Sequence, residues 1–182
     1  MSNIWYTSDW HFCHDKDFIW KVRGFSSIDE MNEAIVERHN SIVKPNDIVY
    51  CLGDCIMGNA ENGIKYLKDL NGHIKIISGN HDTPRKISQY IDNCTNIELC
   101  GLSLKKDISK KLKFFLCHYP VIASNGNDTN KVISIHGHTH SEDKFEYTSQ
   151  FLAYNVAMDA HNCYPVAEED ILKDMKPFLD KI

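Results

Sequence analysis

Short apolar runs alternate along this chain with longer stretches in which apolar residues recur at helical spacing. Ile4, Trp5 and Tyr6 lie in a run from Asn3 to Thr7 that predicts a first strand, stopped by Ser8-Asp9. Ser27 and Glu30 form a capping box, and Ile28, Met31, Ile35 and Ile42 share one face, which predicts a helix over about 28–43. Pro45-Asn46 ends it, and Asp47 to Leu52 is a β-branched and aromatic run closing on Gly53-Asp54. Ile64, Leu67 and Leu70 predict a second helix, stopped at Asn71-Gly72. His73 to Ser78 reads as a strand ending in Gly79-Asn80-His81-Asp82, after which Thr83 caps a short helix that opens on Pro84 and runs through Ile91. Residues 96–104 and 111–117 are expected to form a hairpin around a lysine-rich turn, with His118-Tyr119-Pro120 behind its second arm. Val132 to Ile135 leads into His136-Gly137-His138-Thr139-His140. Two more strands are expected, at 144–147 and 152–158, and then a helix from about 166 that Pro177 should disturb.

The punctuation carries the chemistry. Five apolar strands each end in a short loop bearing Asp, Asn or His, and four of these loops contain Gly or Pro. In α/β sheets, ligands bind beyond the carboxyl ends of strands, where such loops converge. The pattern therefore predicts an α/β protein with one polar cluster at a sheet edge. Its candidate members are Asp9, His11, Asp54, Asn80, His118, His138 and His140. One divalent ion needs four to six donors, so this set suits two ions held ~3.5–4 Å apart by a shared carboxylate. A donor set of nitrogen and oxygen without cysteine argues against structural zinc of the finger type and against iron–sulfur clusters. Manganese stands first for such a pair, with iron, zinc, nickel and cobalt as chemically suitable alternatives.

Composition narrows the partners. A chain of 182 residues with 42% hydrophobic and 25% charged residues fits one globular domain, here residues 1–182. Its 20 Lys and Arg against 25 Asp and Glu leave a net charge of −5, so the basic excess of a nucleic-acid binder is missing. No apolar run is long enough for a membrane span, and the N-terminus does not read as a signal peptide. Seven cysteines, an odd number mostly within apolar runs, suit reduced thiols, and the expected location is cytoplasmic. Lys105, Lys106, Lys110, Lys111 and Lys113 read as a solvated hairpin tip. Two divalent ions outweigh two carboxylates and a hydroxide, which predicts a small anionic substrate, a phosphate ester. Nothing in the pattern fixes an oligomeric state.

The ordered set Asp9-x-His11, Gly53-Asp54, Gly79-Asn80-His81-Asp82, His118 and Gly137-His138-Thr139-His140 resembles the calcineurin-like metallophosphoesterases, in particular their small single-domain bacterial and phage branch. The resemblance implies a sandwich of two mixed β-sheets flanked by α-helices. It also implies that Asp9, His11 and His140 hold one metal, that Asn80, His118 and His138 hold a second, and that Asp54 bridges them. The implied reaction is in-line attack of a metal-bridging hydroxide on a phosphate mono- or diester, with His81 as the acid for the leaving group. Met57 occupies the position where many relatives carry a second aspartate, which speaks against a protein Ser/Thr phosphatase. A nuclease or cyclic-nucleotide phosphodiesterase is the nearest competing reading, and a metal-bound interaction scaffold without turnover is the other.

Around this set lie weaker candidates. His14 and Arg23 are placed to touch substrate, Arg23 by bidentate pairing with a phosphate, although a solvated arginine is the plainer expectation. Asp82 stands beside His81 and is a candidate to orient it. His136 shares an alternating face with His138 and His140 and is a candidate to support them, although a hydrogen-bonded histidine at a strand end is the plainer expectation, and Ser124 to Lys131 is expected to rim the site.

Overall fold

The computed structural model describes residues 2–123, 131–148 and 151–179. In chain order its elements are β1 (Ile4–Thr7), α1 (Asp17–Trp20), α2 (Ile28–Ile42), β2 (Ile48–Cys51), α3 (Ala60–Lys68), β3 (His73–Ile77), α4 (Pro84–Asn93) and β4 (Ile97–Gly101). There follow β5 (Ser103–Ser109), β6 (Leu112–Cys117), β7 (Lys131–His136), β8 (Phe145–Thr148), β9 (Phe151–Asn155), a 3₁₀ turn (Met158–His161), β10 (Val166–Ala167) and α5 (Glu168–Leu179).

Ten strands make two mixed five-stranded sheets. The first has the order β10-β1-β2-β3-β4 and the second β5-β6-β7-β9-β8. β1 to β4 run parallel, joined by crossovers that contain helices, and β10 pairs antiparallel with β1. In the second sheet β6, β7 and β9 are parallel, while β5 and β8 are antiparallel edges. This is the two-sheet α/β sandwich that the resemblance implies.

Strand alternation divides the core in two. Val49, Cys51, Ile74 and Ile76 face Met31, Ile35, Ile64, Leu67, Ile87 and Tyr90 of the helices. Tyr6, Tyr50, Leu52 and Ile77 face the opposite way, onto Phe114, Leu116, Ile133, Ile135 and Tyr154 of the second sheet. The helices begin where their caps dictate. Ser27 accepts the amide of Glu30 at 3.1 Å while the Glu30 carboxylate reaches back to the amide of Ser26. Thr83 accepts the amide of Lys86, and Pro84 opens α4.

Two expectations are corrected. Residues 96–104 are not one hairpin arm: the chain breaks at Gly101 (φ 121°), so β4 joins the first sheet and only β5 pairs with β6 in the second. Pro177 does not interrupt α5, because it lies in the last turn and costs only one late backbone hydrogen bond. The expected rim falls on residues 124–130, outside the described residues except for Lys131. The lysine-rich hairpin is as anticipated at its turn, although Lys106 pairs with Glu168 and Lys113 with Asp107. Among the described residues, no helix is long and apolar enough to cross a membrane.

Candidate metal centre and active site

The loops beyond β1, β2, β3, β6 and β7 meet at one edge, where the two sheets adjoin. Their backbones interlock: the amide of Asp9 donates to Gly53 O at 2.9 Å, that of His11 to Asp54 O at 3.0 Å, and that of Gly137 to His118 O at 3.0 Å. Glycine is required where the loops touch. A Cβ on Gly79 would lie 2.2 Å from Asp54 Oδ1, and one on Gly137 2.2 Å from Asp9 Oδ2. Five of the seven candidate ligands, Asp9, His11, Asp54, His138 and His140, adopt left-handed backbone conformations with φ between 50° and 69°. That conformation costs non-glycine residues about 1–2 kcal/mol each and concentrates at functional sites.

Each carboxylate has one oxygen committed to the backbone and the other aimed inward. Asp9 Oδ2 accepts the amide of His138 at 2.9 Å, while its Oδ1 is buried without a hydrogen-bond partner. Asp54 Oδ1 accepts the amide of His81 at 2.8 Å. Its Oδ2 stands 3.4 Å from His118 Nε2 and 3.8 Å from His11 Nε2. The imidazoles are oriented in the same way. His118 Nδ1 lies 2.7 Å from Leu52 O and His140 Nδ1 lies 2.9 Å from Asp159 Oδ2, contacts that make both Nδ1 atoms donors and leave Nε2 facing the cluster.

Two groups result. Ligand atoms of Asp9, His11 and His140 lie within 4.8 Å of one another, as do those of Asp9, Asp54 and His118. Asn80 Oδ1 is 2.8 Å and His138 Nδ1 3.2 Å from His118 Nε2. All seven residues expected from the sequence are thus brought together. His118 Nε2 thus meets an amide oxygen, a carboxylate and a second imidazole at one point, a cluster of acceptors suited to a cation. His11 has both ring nitrogens buried without a hydrogen-bond partner, so its acceptor nitrogen is open to a cation. The donor set fits divalent cations.

Titration behaviour follows the crowding. Burial opposes ionisation of Asp9, but the charges of His11, His118 and His140 around it hold its carboxyl down at about 2. Burial lowers His11 and His138, the latter helped by His118. Burial would lower His140 as well, yet its hydrogen bond to Asp159 and the charge of Asp9 raise it.

Several expectations change at the periphery. Arg23 is neither solvated nor open to substrate: its side chain is 1% exposed and pairs with Asp159 at 2.9 Å. It also donates to the carbonyls of Asp9 and Trp10. Asp82 does not orient His81. It turns inward, where Oδ2 accepts the amides of Asp54 (2.7 Å) and Gly79 (3.1 Å) and Oδ1 that of Cys55 (3.1 Å), clamping two ligand loops together. His136 meets the plainer expectation of a strand-end histidine: β7 ends at it, and its Nδ1 stands 2.9 Å from Gly137 O. His14 lies 5.5 Å, ring to ring, from His11, and burial, reinforced by the charge of His11, lowers it to about 4. His81 stands at the mouth with a side chain 44% exposed and Nε2 4.0 Å from Asp54 Oδ2. Asp159 was not anticipated. It follows the strands in a 3₁₀ turn, with no glycine or neighbouring ligand to mark it.

Comparison with known proteins agrees with this geometry. A profile of the calcineurin-like phosphoesterase superfamily domain matches residues 3–156. The chain belongs to that superfamily, whose members are metal-dependent, and this membership makes it a phosphoester hydrolase. An uncharacterised protein of Methanocaldococcus jannaschii is 32% identical over 178 residues, covering 95% of this chain and 91% of its own. The Gene 66 protein of Mycobacterium phage L5 is 25% identical over 166 residues, covering 78% and 79%. A solved structure of a protein of unknown function from Aquifex aeolicus shares the fold with a TM-score of 0.70, at 21% identity over 95% of this chain and 99% of that one.

Proposed function

We propose that the protein hydrolyses phosphate mono- or diesters with a pair of divalent ions, manganese being the best candidate. The observation that carries this reading is the convergence of Asp9 and Asp54 carboxylate oxygens with ring nitrogens of His11, His118 and His140 in two overlapping groups, beside one half-exposed imidazole. Asp9, His11 and His140 would hold one ion, Asn80, His118 and His138 the other, and Asp54, whose Oδ2 faces both groups, would bridge them. When bound, such ions supply Lewis acidity and neutralise charge on the phosphoryl oxygens.

The chain's own residues do the rest. His81 is held at the mouth by its amide bond to Asp54, which leaves its ring free to hand a proton to the departing alkoxide. No second carboxylate supports that ring, because Met57 stands where one would be and Asp82 points elsewhere. Asp159 fixes His140 and is itself fixed by Arg23, so a buried ion pair sets one ligand from 19 residues away. The seven free thiols favour a reducing, cytoplasmic setting.

The direct test is to purify the chain, measure its metal content and assay aryl phosphates with added Mn²⁺. About two ions per chain with hydrolysis that EDTA abolishes is the expected result. Full metal loading without turnover under any divalent ion would assign the chain to the scaffold reading. A second expectation concerns the supporting pair. Asp159→Asn leaves the Arg23 charge buried and unpaired, so unfolding of the metal-free protein in urea should cost less by about 3–5 kcal/mol. Metal affinity should fall roughly 10–100-fold as His140 loses its anchor. Unchanged urea midpoints would show that the pair does not hold the loop.

A further inference from the structure

We propose that Phe18 and Tyr119 are the two walls of the substrate cleft, and that the substrate is a small phosphodiester with a planar aromatic group on each side of phosphorus. The inference rests on the phosphoesterase reading above and adds the substrate class.

Two observations carry it. Phe18, on the short helix α1, is 63% exposed, and its ring meets His14 edge to face at 5.4 Å, while His14 meets His11 at 5.5 Å. Tyr119, directly after a ligand, is 44% exposed and packs edge to face on His138 at 4.6 Å and on His118 at 5.1 Å. Tyr119 therefore borders the His118, His138 group directly, while Phe18 stands on the Asp9, His11, His140 side, one imidazole (His14) removed from it. Isolated exposed apolar residues are ordinary. Here, however, each exposed ring is steadied by an imidazole, Tyr119 by two of the candidate ligands and Phe18 by His14 beside His11. A free aromatic face beside a phosphate centre is what a planar ester arm stacks upon.

Charge limits the size of that substrate. Lys106 and Lys113 of the basic hairpin are paired with Glu168 and Asp107, and the chain carries −5 overall. A net-acidic chain whose basic hairpin is partly neutralised disfavours a long phosphate backbone, which needs a basic track. A single diester linkage flanked by aryl or nucleobase groups needs none.

The test compares two esters with the same leaving group, bis(p-nitrophenyl) phosphate and methyl p-nitrophenyl phosphate, using the manganese-loaded full chain. Wild type should show a KM for the bis-aryl ester about tenfold lower. Phe18→Ala and Tyr119→Ala should each raise that KM roughly tenfold with little change in kcat, and only one of the two should also weaken the methyl ester. Phe18→Trp and Tyr119→Phe should restore the wild-type values. Both side chains are substantially exposed, so metal content and folding should not change. Hydrolysis of both esters with equal KM, or alanine variants that leave the ratio unaltered, overturns this inference alone. Failure of wild type to hydrolyse either ester overturns the underlying reading and this one with it.

Discussion

Asp54→Ala is expected to lose bound divalent metal and turnover together, the largest effect of any single substitution in the molecule. Both candidate ligand groups look onto one atom, Asp54 Oδ2, at 3.4 Å from His118 and 3.8 Å from His11. Loss of an outer partner of a ligand typically weakens metal binding ~10–100-fold, so loss of a shared ligand should exceed that for both ions at once. The substitution also removes the acceptor for the His81 amide, detaching the proposed acid from the site. Stability should change little by comparison. Removing one of two neighbouring carboxylates relieves repulsion in the metal-free protein, while alanine at φ 55° adds about 1 kcal/mol of strain. Asp54→Asn, which tolerates the left-handed conformation better, separates the two contributions. Metal analysis after dialysis, paired with circular dichroism, is the measurement. A folded Asp54→Ala protein that retains two ions would show that the bridge lies elsewhere.

His81→Ala should behave differently. Its ring is outside the ligand set and 44% exposed, and its amide can still bond to Asp54, so the metals should stay. Turnover of esters with poor, alkoxide-like leaving groups should slow by roughly 10²–10⁴-fold. Nitrophenolate departs without a proton, so aryl esters should be spared most of that loss. The check is a plot of log kcat against leaving-group pKa for both proteins, with the variant falling more steeply. A loss of equal size across the series would show that His81 positions the substrate rather than protonating it.

The ligands were legible because the physics that places them leaves marks in the sequence. A strand must stop where its loop turns to the site, and Gly79 and Gly137 are needed because the loops approach too closely for a Cβ. An acceptor next to such a glycine, three times over, is a readable pattern. The helices were legible through their caps, with α2 ending at 42 against an expected 43. What escaped depends on distance. Asp159 becomes informative only when the chain returns to His140, and Arg23 only when Asp159 is there to neutralise it. Asp82 was seen beside His81, but its role is set by backbone amides of residues 54, 55 and 79, which no local pattern reveals. The split between β4 and β5 turned on one residue, Gly101, where an unbroken apolar and polar rhythm crosses from one sheet to the other.

The contact between Gly137 of one sheet's loop and Ser8 and Asp9 of the other's has a wider consequence. Apolar side chains between the layers resist separation but discriminate poorly among small lateral offsets. The glycine contact does discriminate, because a shift of one methyl's width closes it or opens it. The reactive edge thus serves as the gauge that registers one layer on the other, while the far ends of the strands are free to lengthen.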